Sequence, residues 1–240
     1  MKITSTLPLD LLTTQRSHIL FVLSQPMEGR ELDFQDWYVG PYRQAVLKTA
    51  GVLTARLYRQ HSVDVTGGKY PRLPFRYLGI VELSLDGAYR ALPHIEQIAA
   101  LHRDHGLAEE PATWLYYAAS EKVGRSSDGG ALLTVAFANP VPGREAEFRE
   151  WYATRHIRHA LNVPALVSGQ CFERTQYQRP GSMAAKFSTI ALYEQEGTPE
   201  SMIESFATLP VGTFDFPALD LEDQRFGEWI YQSVSTATME

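Results

Sequence analysis

Within Trp151-Tyr-Ala-Thr-Arg155-His156-Ile-Arg-His159, a guanidinium and two imidazoles fall inside one short stretch. An imidazole, with an ordinary pKa of about 6.5, takes up and returns a proton near neutrality. A guanidinium steadies negative charge that develops on an oxygen. Together they suit proton transfer on a carbonyl-bearing substrate. On a regular helix starting near Phe148, at about 100° per residue, Trp151, Tyr152, Arg155 and His159 share the Phe148 direction and His156 lies on its flank. An unpaired buried charge costs several kcal/mol, so ionisable groups on such a face imply a partner or a pocket. His156, His159 and Arg155 are therefore the candidate catalytic residues. Tyr152, Tyr117, Tyr77 and Trp229 are the candidate substrate-binding residues.

This stretch has a counterpart earlier in the chain. Pro140-Val-Pro-Gly143-Arg144-Glu145-Ala-Glu-Phe148-Arg-Glu-Trp151-Tyr152 repeats Pro26-Met-Glu-Gly29-Arg30-Glu31-Leu-Asp-Phe34-Gln-Asp-Trp37-Tyr38, with the constant offset 140 − 26 = 114 and seven identities in thirteen positions. Such agreement indicates an internal duplication. The copies part company where chemistry could sit: Pro41, Tyr42 and Ala45 of the first become Arg155, His156 and His159 in the second. The Pro-x-x-Gly-Arg-Glu of each copy is a strand-to-helix turn and lacks the glycine spacing and Lys of a phosphate loop.

The elements that must carry these residues follow from apolar periodicity. His18–Leu23 is a run of strand length. A helix follows with Phe34, Trp37, Tyr38, Pro41 and Ala45 on one face, then strands near 53–60 and 75–83, a helix over 89–101 and a strand over 113–120. The order β-α-β-β-α-β is that of a ferredoxin-like unit. A polar hinge at 121–130 separates it from a second pass with strands at 131–138, 166–175 and 185–193, helices at 145–161 and 199–209, and a last strand around Trp229–Ser235, in which Tyr77 aligns with Phe187 and Ile80 with Ile190. The expected fold class is α+β: two tandem ferredoxin-like repeats, 16–121 and 131–236, packed sheet to sheet as a pseudo-dimeric α/β barrel. The second repeat carries the pocket.

At 240 residues, 44% hydrophobic and 21% charged, the chain is long enough for a sizeable core. A net charge of −6 with no basic run argues against nucleic acid. The lone Cys171 cannot form an intrachain disulfide and reads as a buried strand residue, which makes the cytoplasm the default location. No apolar run approaches the ~20 residues of a membrane span. Residues 1–15 read as an arm. The His102/His105 spacing lacks further ligands, so no metal site is expected.

Phe148-x-x-Trp151-Tyr152-x-x-x-His156, with Pro164 a short way on, resembles the signature of the EthD-like branch of the dimeric α/β-barrel superfamily. The resemblance implies a pocket between sheet and helices for small aromatic or polyketide-like compounds, usually used without a metal. The preferred expectation is a cofactor-independent lyase (dehydration or decarboxylation) or isomerase with a small-molecule substrate and room for a homodimer. A cofactor-free oxygenase, a haem-binding protein ligated through His156 or His159, and a non-catalytic ligand carrier are the alternatives.

Overall fold

A computed structural model describes residues 16–85, 87–101, 105–125, 131–178, 185–210, 212–222 and 225–234. The arm at 1–15 and His102 lie outside the described residues. Nine strands run β1 Arg16–Ser24, β2 Val52–Gln60, β3 Tyr77–Ser84, β4 Ala112–Ala118, β5 Val123–Gly124, β6 Leu132–Ala138, β7 Leu166–Arg174, β8 Thr189–Gln195 and β9 Phe226–Ser233. Four helices interleave: α1 over 31–47, α2 Ala88–Leu101, α3 over 145–160 and α4 Pro199–Ala207. The two-residue β5 falls inside the stretch expected to be a structureless hinge, where Arg125 N–H donates to Val167 O as the chain runs along β7.

The strand order is β4-β1-β3-β2 followed by β9-β6-β8-β7, all pairs antiparallel, with β5 flanking β7. Two seams close eight of these strands into a barrel. Tyr58, Arg59 and Gln60 of β2 pair with Ser233, Gln232 and Tyr231 of β9, and Tyr116, Tyr117 and Ala118 of β4 pair with Arg174, Glu173 and Phe172 of β7. Each seam joins three residues, and the start of β2, from Val52 to Arg56, pairs only with β3 among the described residues.

Alternation along the strands divides the buried side chains into three compartments. Inside the barrel lie Phe21, Tyr116, Trp114, Phe137, Phe172, Trp229 and Tyr231. Outside, Leu20, Val81 and Leu115 face α1 and α2, while Ala136, Cys171, Tyr193 and Ile230 face α3 and α4. Strand register corrects the alignment of the third strands: Leu23 pairs with Leu78 and Phe137 with Ile190, so Leu78, and not Ile80, corresponds to Ile190, and Tyr77 corresponds to Thr189 rather than Phe187. A slip of two residues preserves the inward face, which is why apolar pattern alone could not detect it.

Both long helices contain a π turn, Tyr38–Tyr42 in α1 and Tyr152–His156 in α3. In α1 the cause is visible: Pro41 has no N–H to continue the ladder, and Gly40 takes non-helical angles. In α3 the Thr154 hydroxyl donates to the Glu150 carbonyl one turn back, a bond that bends helices. The extra residue in each turn rotates everything after it. The buried face therefore runs Phe34, Trp37, Tyr38, Tyr42, Val46 and Phe148, Trp151, Tyr152, Ile157, Ala160, while Pro41 and the Arg155/His159 pair turn outward.

Candidate functional site: an aromatic cavity under α1

A partly open, apolar-walled cavity of about 240 Å³ lies between α1, α2 and the outer face of β1 and β4. Its walls are Leu20, Val22, Trp37, Tyr38, Tyr42, Ile95, Leu107 and Thr113, and Glu96, Glu109 and Glu110 bring carboxylates to it. The π turn puts three aromatic rings of α1 side by side: the Tyr38 and Tyr42 centroids are 4.7 Å apart, those of Trp37 and Tyr42 4.8 Å. His105 stacks on Trp37 at 5.0 Å, its planes 6° apart. The Tyr38 hydroxyl sits over Gly79, where a Cβ would collide with it, so glycine at this strand position makes its seat. That hydroxyl is buried and has no hydrogen-bond partner among the described residues. Burial, then the neighbouring Tyr42 phenol, pushes the Tyr38 pKa well above the usual phenol range. It stays protonated and can donate.

The second half is arranged differently. His156 is stacked on Tyr152 at 4.7 Å and 10°, lies 4.6 Å from Trp151 and meets the edge of Phe214 at 5.7 Å. Desolvation, then the charge of His159, lowers its pKa to about 3, so the ring is neutral at physiological pH. Its Nδ1 and the hydroxyls of Tyr152 and Tyr193 are buried without hydrogen-bond partners among the described residues. Burial raises both phenols, the nearby Glu228 adding a smaller push, and Glu228 is itself pushed up to about 7 by desolvation. Glu228 pairs with Ala136 as Thr113 pairs with Val22, so it occupies the strand position that lines the cavity in the first half. Sequence reasoning passed it over. The signal was alternation in β9, which puts Glu228 on the face of the buried Ile230.

The residues singled out from the sequence are not gathered into one site. Tyr152 and His156 touch. Arg155 and His159 are exposed on α3, because the π turn carried them off the face that a regular helix would give. Tyr77 lies under α1 and its hydroxyl accepts from Gln35 Nε2 at 2.6 Å. Tyr117 stands at the β4–β7 seam, donating to Glu173, which also accepts from Arg149 Nε at 2.8 Å. Trp229 is packed inside the barrel, 5.4 Å from Phe137. Cys171 is buried and its thiol is pushed up by burial.

Among the described residues no group of three or more His, Cys, Asp or Glu could hold a metal, and no helix is long and apolar enough to cross a membrane. As placed, the His156 ring offers no open face to a haem: it is enclosed by Tyr152, Trp151 and Phe214, and the cavity that Phe214 lines does not include His156 in its walls.

A closed eight-stranded antiparallel barrel with helices on its outer face recurs in solved structures. The chain is similar to a proposed monooxygenase from Fusobacterium nucleatum (11% identity, TM-score 0.59, covering 91% of this chain and 93% of that one). It is similar to a mutant chlorite dismutase from Candidatus Nitrospira defluvii (13%, 0.55, 94% and 95%) and to an anthrone oxidase-like protein (9%, 0.51, 93% and 93%). At these identities the likeness is one of fold. No protein-family model and no curated protein matches the sequence.

Proposed function

We propose that this chain is a small-molecule enzyme that holds an aromatic or polyketide-like carbonyl compound in the cavity under α1 and transfers protons on it as an isomerase or lyase. One observation carries the reading: a cavity walled by the rings of Trp37, Tyr38 and Tyr42, with carboxylates brought to it and the unpartnered Tyr38 hydroxyl seated behind its wall over Gly79. Its volume is below the ~300 Å³ at which sites for drug-sized ligands begin, which suits a compound of a few fused rings. A ligand oxygen that accepts from the Tyr38 hydroxyl, once that group turns from its seat over Gly79 toward the cavity, has its negative charge stabilised as an adjacent C–H proton passes to a carboxylate of Glu96, Glu109 or Glu110. Return of that proton to another carbon is isomerisation. Loss of a neighbouring hydroxyl as water is dehydration.

A second reading is a cofactor-free oxygenase, in which molecular oxygen attacks the same electron-rich anion. It is favoured by the monooxygenase and anthrone oxidase-like names of two structures of this fold. A third seat of acid-base chemistry is Arg155, His156 and His159, on the observation that His156 Nδ1 lacks a partner. The EthD-like resemblance of Phe148–His156, and descent of the halves 16–121 and 131–236 from one duplicated ferredoxin-like unit, belong to the same proposal. The repeated strand order β4-β1-β3-β2 and β9-β6-β8-β7 supports the duplication.

The test uses anthrone under air, read by absorbance and oxygen uptake, with wild type, Val22→Trp, Tyr38→Phe and His156→Tyr. Turnover lost in Val22→Trp and lowered about 10- to 100-fold in Tyr38→Phe, with His156→Tyr unaffected, is the expected result. Oxygen uptake in step with turnover selects the oxygenase. Full activity in Val22→Trp refutes the cavity as the site.

A further inference from the structure

At the end of β2, away from the cavity walls, the segment 59–76 folds around an open groove of about 630 Å³. Arg59, Arg72 and Arg76 line it together with His61, Gln60 and Gln232, and no carboxylate is among its lining residues. In a chain of net charge −6 this is a local inversion of sign. The three guanidinium groups are not equally committed. Arg72 is a strut, donating from Nη1 to His61 O at 2.7 Å and from Nη2 to Ser62 O at 2.5 Å, with Asp64 4.0 Å away. Arg76 pairs with Glu31 at 2.6 Å. Arg59 is exposed and makes no ion pair among the described residues.

His61 adds a ring donor: its Nδ1 accepts from the Val63 N–H at 3.1 Å, which leaves Nε2 to donate. The Gln60 Nε2 is shielded from the groove, has no hydrogen-bond partner among the described residues, and is not among the groups that face it. Hydrogen bonds between a guanidinium and an oxyanion are about twice as strong as neutral ones and are often bidentate.

We propose that this groove is a binding site for a small anion bearing a phosphate or carboxylate group, held principally by Arg59 and Arg76 with the His61 ring beside them. The site does not depend on the reading of the α1 cavity. It is tested on the full chain by thermal unfolding at constant ionic strength against inorganic phosphate, citrate and, as control, chloride. A saturable rise in Tm with phosphate or with citrate, absent with chloride, is expected, and which of the two acts tells the phosphate source from the carboxylate source. Arg59→Gln should weaken that binding about tenfold or more while leaving the Tm without added anion unchanged. Arg76→Gln, which also loses the Glu31 pair, serves as a second variant with the same expectation for anion binding. No saturable rise with either anion overturns the proposal, as does an affinity unchanged in both variants.

Discussion

Glu228 allows a direct test of the second half. Its carboxyl stands on the helix-facing side of β9 beside two buried phenols, and its pKa rises from an ordinary 4.5 to about 7. Below pH 4.5 the group is protonated in folded and unfolded chains alike and costs nothing. Between 4.5 and 7 the unfolded chain releases its proton first, so stability falls as pH rises, and above 7 the full deficit is present. Each pH unit of that interval is worth about 1.36 kcal/mol, giving about 3 kcal/mol as a ceiling, since the side chain keeps some contact with water. Glu228→Gln keeps the shape and removes the charge. Its stability relative to wild type should therefore climb by up to about 3 kcal/mol from pH 4 to pH 8, or roughly 6–12 °C in Tm for a chain of this size. Thermal or urea unfolding of both proteins at several pH values measures it. A difference that is the same at pH 4 and pH 8 would refute the reasoning, because it would mean that Glu228 ionises in the fold as freely as in water.

His156 predicts the opposite slope. Its pKa is lowered to about 3, so the unfolded chain binds a proton first as pH falls below 6.5, and stability is lost toward pH 3. His156→Tyr, which installs the residue found at the matching place in α1, should remove that acid-side loss, as seen by urea unfolding at pH 4 and pH 7. Gly79→Ala drives a methyl into the Tyr38 hydroxyl and should destabilise by roughly 1–3 kcal/mol in denaturant unfolding. The damage should be smaller in the Tyr38→Phe background, where the colliding oxygen is gone.

Strand order was legible because apolar runs of the right length are bounded by turn residues, and the Phe-x-x-Trp-Tyr repeat placed both long helices. Helix faces were legible only as far as the π turns. From Phe148 to Tyr152 the wheel is right; past Tyr152 one extra residue exchanges Arg155 and His159 for Ile157 and Ala160 on the inner side. In α1, Pro41 warned of an irregularity, whereas α3 has no proline and its Thr154 signal is weak. The cavity was illegible, since it depends on how far α1 and α2 stand off β1 and β4. The contrast between halves is in the sequence but not its meaning: Ala55 of β2 becomes Gly169 in β7, and the Tyr193 ring fills the space that a methyl would take there.

The two seams bind the fate of one half to the other. A chain severed at 126–130 would leave β2 and β4 of its first piece, and β9 and β7 of its second, with bare rows of amides and carbonyls and the aromatic interior laid open to water. Neither fragment has a cover of its own for that surface. Each must find a sister copy to rebuild the ring or precipitate, while the two fragments, mixed, should reunite into one cylinder.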